Sequence, residues 1–334
     1  MTLELLLLMP AAHRTAVFTE ASLERLHRLG TVAIDDGPVD LARPGLRDRL
    51  ARAEVIVTGT GTGKLDAAVL DAAPKLRAIV HTAGTLRPIV DIDVYDRGIL
   101  LSSQAPANAL PVAEYTLAMI LLELKGVRVA EAEYAAARQA IDVDELLTHR
   151  GAYGRTVGVI AASVIGRRVI ELLRPFDVHV LVSDPFLAPD DAERLGAELV
   201  ELPTLLARSD LVTLHAPLLP STRGMIGATE LATMRDGTVF INTARGALVD
   251  EAALLEELRT GRLRAVIDVT DPEVPPRHSS IWDTPNLVLT PHVAGSRGLE
   301  LRRIGERAVD EVERLAVGAD LRYGVSQARY ATNA

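Results

Sequence analysis

Twice along this chain, short β-rich runs alternate with segments of helical spacing, and that doubled alternation restricts the fold more than any other feature of the sequence. In the first series the runs fall at 5–9, 32–34, 55–58, 76–81 and 99–102, separated by helical segments such as 21–29 and 65–72. In the second they fall at 156–160, 178–182, 211–214, 239–241, 265–268 and 287–289. Strands that alternate with helices build parallel sheets covered on both faces. A length of 334 residues accommodates two such units, each with its own core. The expected class is therefore α/β, with two domains in tandem.

Three connecting segments complete the plan. Residues 108–124 have a nearly continuous apolar face and suit a long helix crossing from the first series to the second. Residues 127–154 are polar and weakly patterned, either a surface excursion or an arm that contacts another subunit. Residues 297–317 carry Leu301, Ile304, Ala308, Val312 and Leu315 at helical spacing, and this helix is expected to return to the first domain.

Composition removes several classes of function. There is no cysteine, so disulfides, thiolate nucleophiles and cysteine-ligated metal clusters are excluded, and redox chemistry must use a bound cofactor. No metal site is expected. A net charge of −9 and a pI near 5.5 oppose phosphate-backbone binding, so nucleic acid is not an expected partner. No apolar run approaches the roughly 20 residues of a membrane-spanning helix. Leu5 to Leu8, followed by Met9 and Pro10 with no basic residue before them, read as a buried strand and not a signal peptide. A cytoplasmic location away from membranes is the expectation.

The run 156–160 leads into Ala161-Ala162-Ser163-Val164-Ile165-Gly166, then an amphipathic helix, then a strand ending at Ser183-Asp184. In a dinucleotide fingerprint a glycine-rich turn lets amides at a helix N-terminus, here those of Ser163, Val164 and Ile165, approach a pyrophosphate, while an acid near Asp184's position binds the adenosine ribose. The expected G-x-G-x-x-G stands as A-x-S-x-x-G, and alanine and serine each place a Cβ where glycine would leave room. Read alone, the segment fits an ordinary α/β crossover as well. A carboxylate at 184 pairs with a free 2′-hydroxyl and repels a 2′-phosphate, favouring NAD(H) over NADP(H).

Further along, Arg245, Glu273 and His292 each sit in the loop after a separate strand of the second series. In an open parallel sheet those loops gather at one crevice. Reduction of a 2-oxo acid needs a cation for the carboxylate and carbonyl oxygen and a proton donor for the alkoxide. Arg245 and His292 supply these. Glu273 beside the histidine would keep more of it protonated.

With these residues in place the sequence resembles the D-isomer-specific 2-hydroxyacid dehydrogenase family. The resemblance covers almost the whole chain and is most specific in Leu214-His215-Ala216-Pro217 with Thr222-Arg223-Gly224-Met225-Ile226, from Asn242 to Asp250, and from Pro291 to Ser296. It implies two Rossmann-like domains: a flavodoxin-like substrate domain over 1–105, completed by 296–334, and a doubly wound dinucleotide-binding domain over 106–295. It implies that Arg245 binds substrate and that His292 is the acid/base paired with Glu273. Asp268 would contact the nicotinamide carboxamide, and His215, Ala216, Pro217, Thr222, Thr243, Ala244 and Gly295 would line the cofactor. Ala83, Gly84 and Thr85 would offer backbone amides to the substrate carboxylate, with Asn108 and Glu114 at the interdomain hinge. A homodimer is implied.

Several positions depart from the family pattern. Val164 follows Ser163 where the family often carries arginine, and Thr82 stands where phosphoglycerate dehydrogenases that resemble this chain carry one. The usual Asp-Asn-Ile-Asp run is replaced at Leu86-Arg87-Pro88-Ile89-Val90-Asp91. Phosphoglycerate is therefore not the expected substrate, and no third, regulatory domain is expected. The altered glycine turn also motivates two other readings: an NAD(H)-sensing, corepressor-like binding protein with little activity, and an enzyme that has lost its cofactor.

Overall fold

The computed structural model describes residues 2–332. They form two compact units, one made of the described residues up to Ala109 together with those from Ser296 onward, the other Leu110–Gly295. The division falls inside the helix Ala105–Lys125.

The first unit is built on five parallel strands, β1 (Leu3–Leu8), β2 (Gly30–Asp35), β3 (Val55–Thr58), β4 (Ala78–His81) and β5 (Leu100–Ser103), in the order β2-β1-β3-β4-β5. This is the flavodoxin-like order. The leucine run of β1 is explained by burial on both sides. Leu6 and Leu8 join Leu46, Leu50 and Ile56 on one face, while Leu3, Leu5 and Leu7 join Val17, Leu26 and Val57 on the other. The helix Leu301–Ala316 returns to this second face through Ala308, Val309, Val312 and Leu315. Its acidic side, Glu306, Asp310 and Glu313, converges on Arg25. The helical segment expected over 65–72 is only Ala67–Asp71, because Asp66 caps it by accepting the Val69 N–H at 3.0 Å.

The second unit holds seven parallel strands, β6 (Arg155–Ile160), β7 (Val178–Ser183), β8 (Glu198–Leu199), β9 (Leu211–Leu214), β10 (Val239–Asn242), β11 (Arg264–Ile267) and β12 (Leu287–Leu289), ordered β12-β11-β10-β9-β6-β7-β8. The order reverses between β6 and β9, as in a doubly wound dinucleotide fold, so the carboxyl end of β6 lies at a switch point. Alternate residues again feed two cores. Val212, Leu214 and Phe240 lie in one, and Val157, Val159 and Ile241 in the other.

Two expectations are corrected. The helix Ala105–Lys125, with 21 residues, is by length and composition alone apolar enough to cross a membrane, contrary to the reading that no run approaches that length. Its Ala113, Ile120 and Leu124 nevertheless belong to the core of the second unit, and a buried core helix meets the same criterion. The weakly patterned segment 127–154 contains two helices, Val127–Ala137 and Val143–Leu146. Neither has a buried residue, so no apolar stripe announces them; alanine and glutamate propensity forms the first.

Candidate active site

At the switch point, β6 runs into Ala161 at a φ of +72°, in the left-handed region that favours glycine. The backbone thus makes the turn of the first fingerprint glycine while carrying a methyl group. Ser163 caps the helix Val164–Leu173, its Oγ accepting the Gly166 N–H at 3.2 Å. Gly166 itself admits no side chain, since a Cβ there would stand 2.1 Å from the Ala161 carbonyl oxygen. The N–H groups of Val164 and Ile165 have no partner among the described residues. Two donors therefore remain at the positive end of a ten-residue helix.

Asp184, just past β7, accepts the Ala162 N–H on Oδ2 and the Phe186 N–H on Oδ1, both at 2.8 Å. Each oxygen keeps acceptor capacity for a ribose hydroxyl. These residues fit a dinucleotide: the helix amides suit a pyrophosphate, and the fixed carboxylate suits a ribose.

Strands β10, β11 and β12 are neighbours, with Asn242 beside Ile267 and Ile267 beside Leu289, so the loops after them start side by side. They carry Arg245, Glu273 and His292. Glu273 Oε1 and His292 Nδ1 are hydrogen-bonded. His292 stands at a φ of +53°, a conformation that a bulky residue adopts only when its surroundings impose it. The imposing residue is Asp268. Its carboxylate, on a residue only 2% exposed, accepts the Thr290 hydroxyl at 2.6 Å, the Val293 N–H at 2.8 Å and the Ala294 N–H at 2.9 Å. The Asp268 carbonyl also accepts the His292 N–H at 2.9 Å. Asp268 is thus the strap of the histidine loop, with one acceptor position left for a ligand. Tyr115 extends the chain by bonding Thr290 at 3.0 Å, and burial raises its pKa.

Arg245 is exposed, and its loop is held by a buried residue to which sequence reasoning gave no role. Asn242 donates to the Arg245 carbonyl and accepts the Ala244 N–H, both at 2.9 Å, and is 1% exposed. An asparagine at the last position of a strand, three residues before a candidate arginine, was the available signal. Gly246 brings this loop against the next one. A Cβ there would lie 2.1 Å from the Thr270 carbonyl carbon and 2.5 Å from the Asp271 nitrogen.

The remaining expected cofactor residues are chiefly internal. The His215 ring is 3% exposed, its Nε2 paired with Thr213 at 3.0 Å, and burial pushes its pKa down to about 3. Its Nδ1 has no partner among the described residues, so any surface this segment offers comes from its backbone, Ala216 and Pro217. Thr222 accepts the Leu219 N–H at 2.8 Å and donates to the Pro217 carbonyl at 2.6 Å, bracing that loop. Thr243 pairs with Thr116 at 3.1 Å, Ala244 is 8% exposed, and Gly295 closes the strapped loop.

In the first unit, the loop after β4 has its carbonyls taken: Ser103 Oγ donates to those of Ala83 and Gly84, and the Gln104 N–H donates to Ala83 at 3.0 Å. The N–H groups of Gly84 and Thr85 have no partner among the described residues, which leaves them for an anion. Thr82 is fully buried, donating to the Thr58 carbonyl and bonded to His13, both at 2.9 Å. Asn108 accepts the Ser296 N–H at 2.8 Å, tying together the places where the chain leaves and re-enters this unit. Glu114 is exposed.

Residues 117–294 match the model of a family described as "D-isomer specific 2-hydroxyacid dehydrogenase, NAD binding domain". Over 287 residues the chain is 36% identical to a D-3-phosphoglycerate dehydrogenase of Mycobacterium leprae, covering 85% of this chain and 52% of that protein. The chain therefore spans about half the length of the curated relatives it matches. Among solved structures, a Thermus thermophilus protein is similar at a TM-score of 0.76 and 29% identity, covering 96% of this chain and all of that one. A D-lactate dehydrogenase with NAD+ from Lactobacillus jensenii shares the fold at a TM-score of 0.81 and 23% identity, covering 96% of this chain and 99% of that one.

Proposed function

The chain belongs to the D-isomer specific 2-hydroxyacid dehydrogenase family, and on that premise we propose that it is an NAD-dependent oxidoreductase interconverting a small 2-oxo acid and its D-2-hydroxy acid. The observation that carries this reading is the His292–Glu273 pair, held by the Asp268 strap on a strand end adjacent to the loops of Glu273 and Arg245.

Val164, Ile165 and Ser163 would hold the dinucleotide pyrophosphate and Asp184 the adenosine ribose, with NAD(H) preferred because a carboxylate repels a 2′-phosphate. When bound, the reduced cofactor supplies the hydride equivalent that the carbonyl carbon accepts. Arg245 binds the substrate carboxylate and polarises the carbonyl, lowering the energy of the developing alkoxide. Glu273 on Nδ1 fixes the ring and its tautomer, so Nε2 is the atom that gives the proton to the substrate oxygen and takes it back in the reverse direction.

A phosphorylated substrate is not part of the proposal. Thr82 is committed to Thr58 and His13, and burial lowers the His13 pKa, which disfavours a positive charge there. The NAD(H)-sensing reading draws on Ala161 and Ser163, and the set of Arg245, Glu273 and His292 on adjacent strand ends argues against it. A homodimer is the proposed assembly.

The test is His292→Ala. Turnover on whichever 2-oxo acid the parent accepts should fall at least about 100-fold while NADH affinity stays within twofold. Ordinary turnover in that variant would remove the mechanism.

A further inference from the structure

This inference rests on the reading that the turn after β6 takes a dinucleotide, and it concerns how that turn works without its glycines. A pyrophosphate brings two negative charges to a helix end where Ser163 already occupies the Gly166 N–H and only the Val164 and Ile165 donors remain. Val164, the first residue of the helix, carries no charge. Three residues later, on the same helical face, stands Arg167.

Arg167 does not extend along the helix. Its Nε–H donates to the Ala162 carbonyl at 2.9 Å, which folds the side chain back across the turn. The same residue's N–H is held by Asp184 at 2.8 Å. Ala162 is therefore gripped on both sides, between the left-handed Ala161 and the capping Ser163. With Nε committed, the Arg167 Nη1 and Nη2 have no partner among the described residues, whereas neighbouring Arg168 is paired with Glu171 at 3.0 Å.

We propose that Arg167 is the cation of the pyrophosphate subsite, its Nε–H locking the Ala162 carbonyl while both Nη groups present donors to the phosphate oxygens. A guanidinium suits this divided task because its donors form a rigid planar fork. The fork substitutes for backbone approach that a glycine-rich turn would otherwise provide.

The test is calorimetric titration of the whole chain with NADH, ADP-ribose and adenosine, using the parent, Arg167→Ala, Arg167→Gln, Arg167→Lys and Arg168→Ala. The Ala and Gln variants should bind NADH and ADP-ribose about 10- to 100-fold more weakly, the size of a lost charge-assisted contact. Adenosine, which has no phosphate, should be unaffected within twofold, Arg167→Lys should recover part of the loss, and Arg168→Ala should match the parent. Gln keeps an N–H for Ala162, so it tests the charge if the Ala variant fails to fold. Unchanged NADH binding by Arg167→Gln overturns the inference, as does an adenosine loss equal to the ADP-ribose loss. A parent protein that binds neither NADH nor ADP-ribose overturns the dinucleotide reading itself, before any variant is compared.

Discussion

Asp268→Asn keeps the size and shape of the side chain yet should disrupt the second unit. The carboxylate accepts three hydrogen bonds, from Thr290 and Val293 on Oδ1 and from Ala294 on Oδ2, where almost no water reaches. An amide has one oxygen. In its less costly orientation it keeps the Oδ1 pair and turns its NH2 toward the N–H of Ala294, which is 3% exposed. Losing a charge-assisted bond and leaving a buried donor without an acceptor costs about 2–4 kcal/mol. For a unit of this size, each kcal/mol lowers the melting temperature by roughly 2–4 °C, so a fall of about 4–16 °C is expected by circular dichroism. The His292 loop should loosen with it, lowering kcat more than about tenfold on any accepted 2-oxo acid. A variant melting within 1 °C of the parent would refute the strap, because no arrangement of a neutral amide satisfies all three donors.

Other changes should separate backbone fit, strain and charge. Gly246→Ala drives a methyl into the Thr270–Asp271 peptide and should cost about 1–3 kcal/mol or more, visible as a lower melting temperature together with lost activity; parent-like melting would contradict the close approach. Ala161→Gly relieves a left-handed alanine worth about 1–2 kcal/mol but frees the unfolded chain by about 0.4–1 kcal/mol, so stability should stay level or rise by up to about 1.6 kcal/mol with NADH affinity kept or improved. A clear fall in urea stability would contradict it. Burial holds His81 and His215 near a pKa of 3, below the unfolded value of 6.5. The unfolded chain therefore takes up protons first, and the stability present above about pH 6.5 is lost as pH falls toward 3, by up to about 1.4 kcal/mol per pH unit for each histidine. Urea midpoints at pH 7.5 and 5 should show this slope, and His215→Gln should flatten it for the second unit; equal slopes in parent and variant would argue against it.

Much of the fold was legible because strand burial writes itself into composition. Runs such as Val55–Thr58 and Leu211–Leu214 are buried throughout and apolar but for one threonine each, as suits strands covered on both faces. The strand Glu198–Leu199 was missed, since two residues at a sheet edge carry no period. The helix Val127–Ala137 was missed for the converse reason: it buries nothing, and a reading based on apolar spacing is blind to it. At the candidate site, the positions of Arg245, Glu273 and His292 could be read because a residue after a strand is easily placed at a sheet's carboxyl end. What holds those residues was not legible. Asn242 and Asp268 act largely through hydrogen bonds to backbone groups, and residue type hints at such a role, as the asparagine closing a strand does, without naming the partners. The turn at Ala161 shows the same limit, because alanine in the sequence says nothing about a positive φ.

Reduction of a 2-oxo acid by this chain is measured by NADH oxidation with glyoxylate, hydroxypyruvate, pyruvate, 2-oxobutyrate, phenylpyruvate and phosphohydroxypyruvate, each repeated with NADPH and with Arg245→Ala. Turnover of at least one unphosphorylated 2-oxo acid is expected, faster with NADH than with NADPH and lost in the variant. Turnover by Arg245→Ala equal to the parent's, or no turnover of any 2-oxo acid by a parent protein that binds NADH, would contradict it.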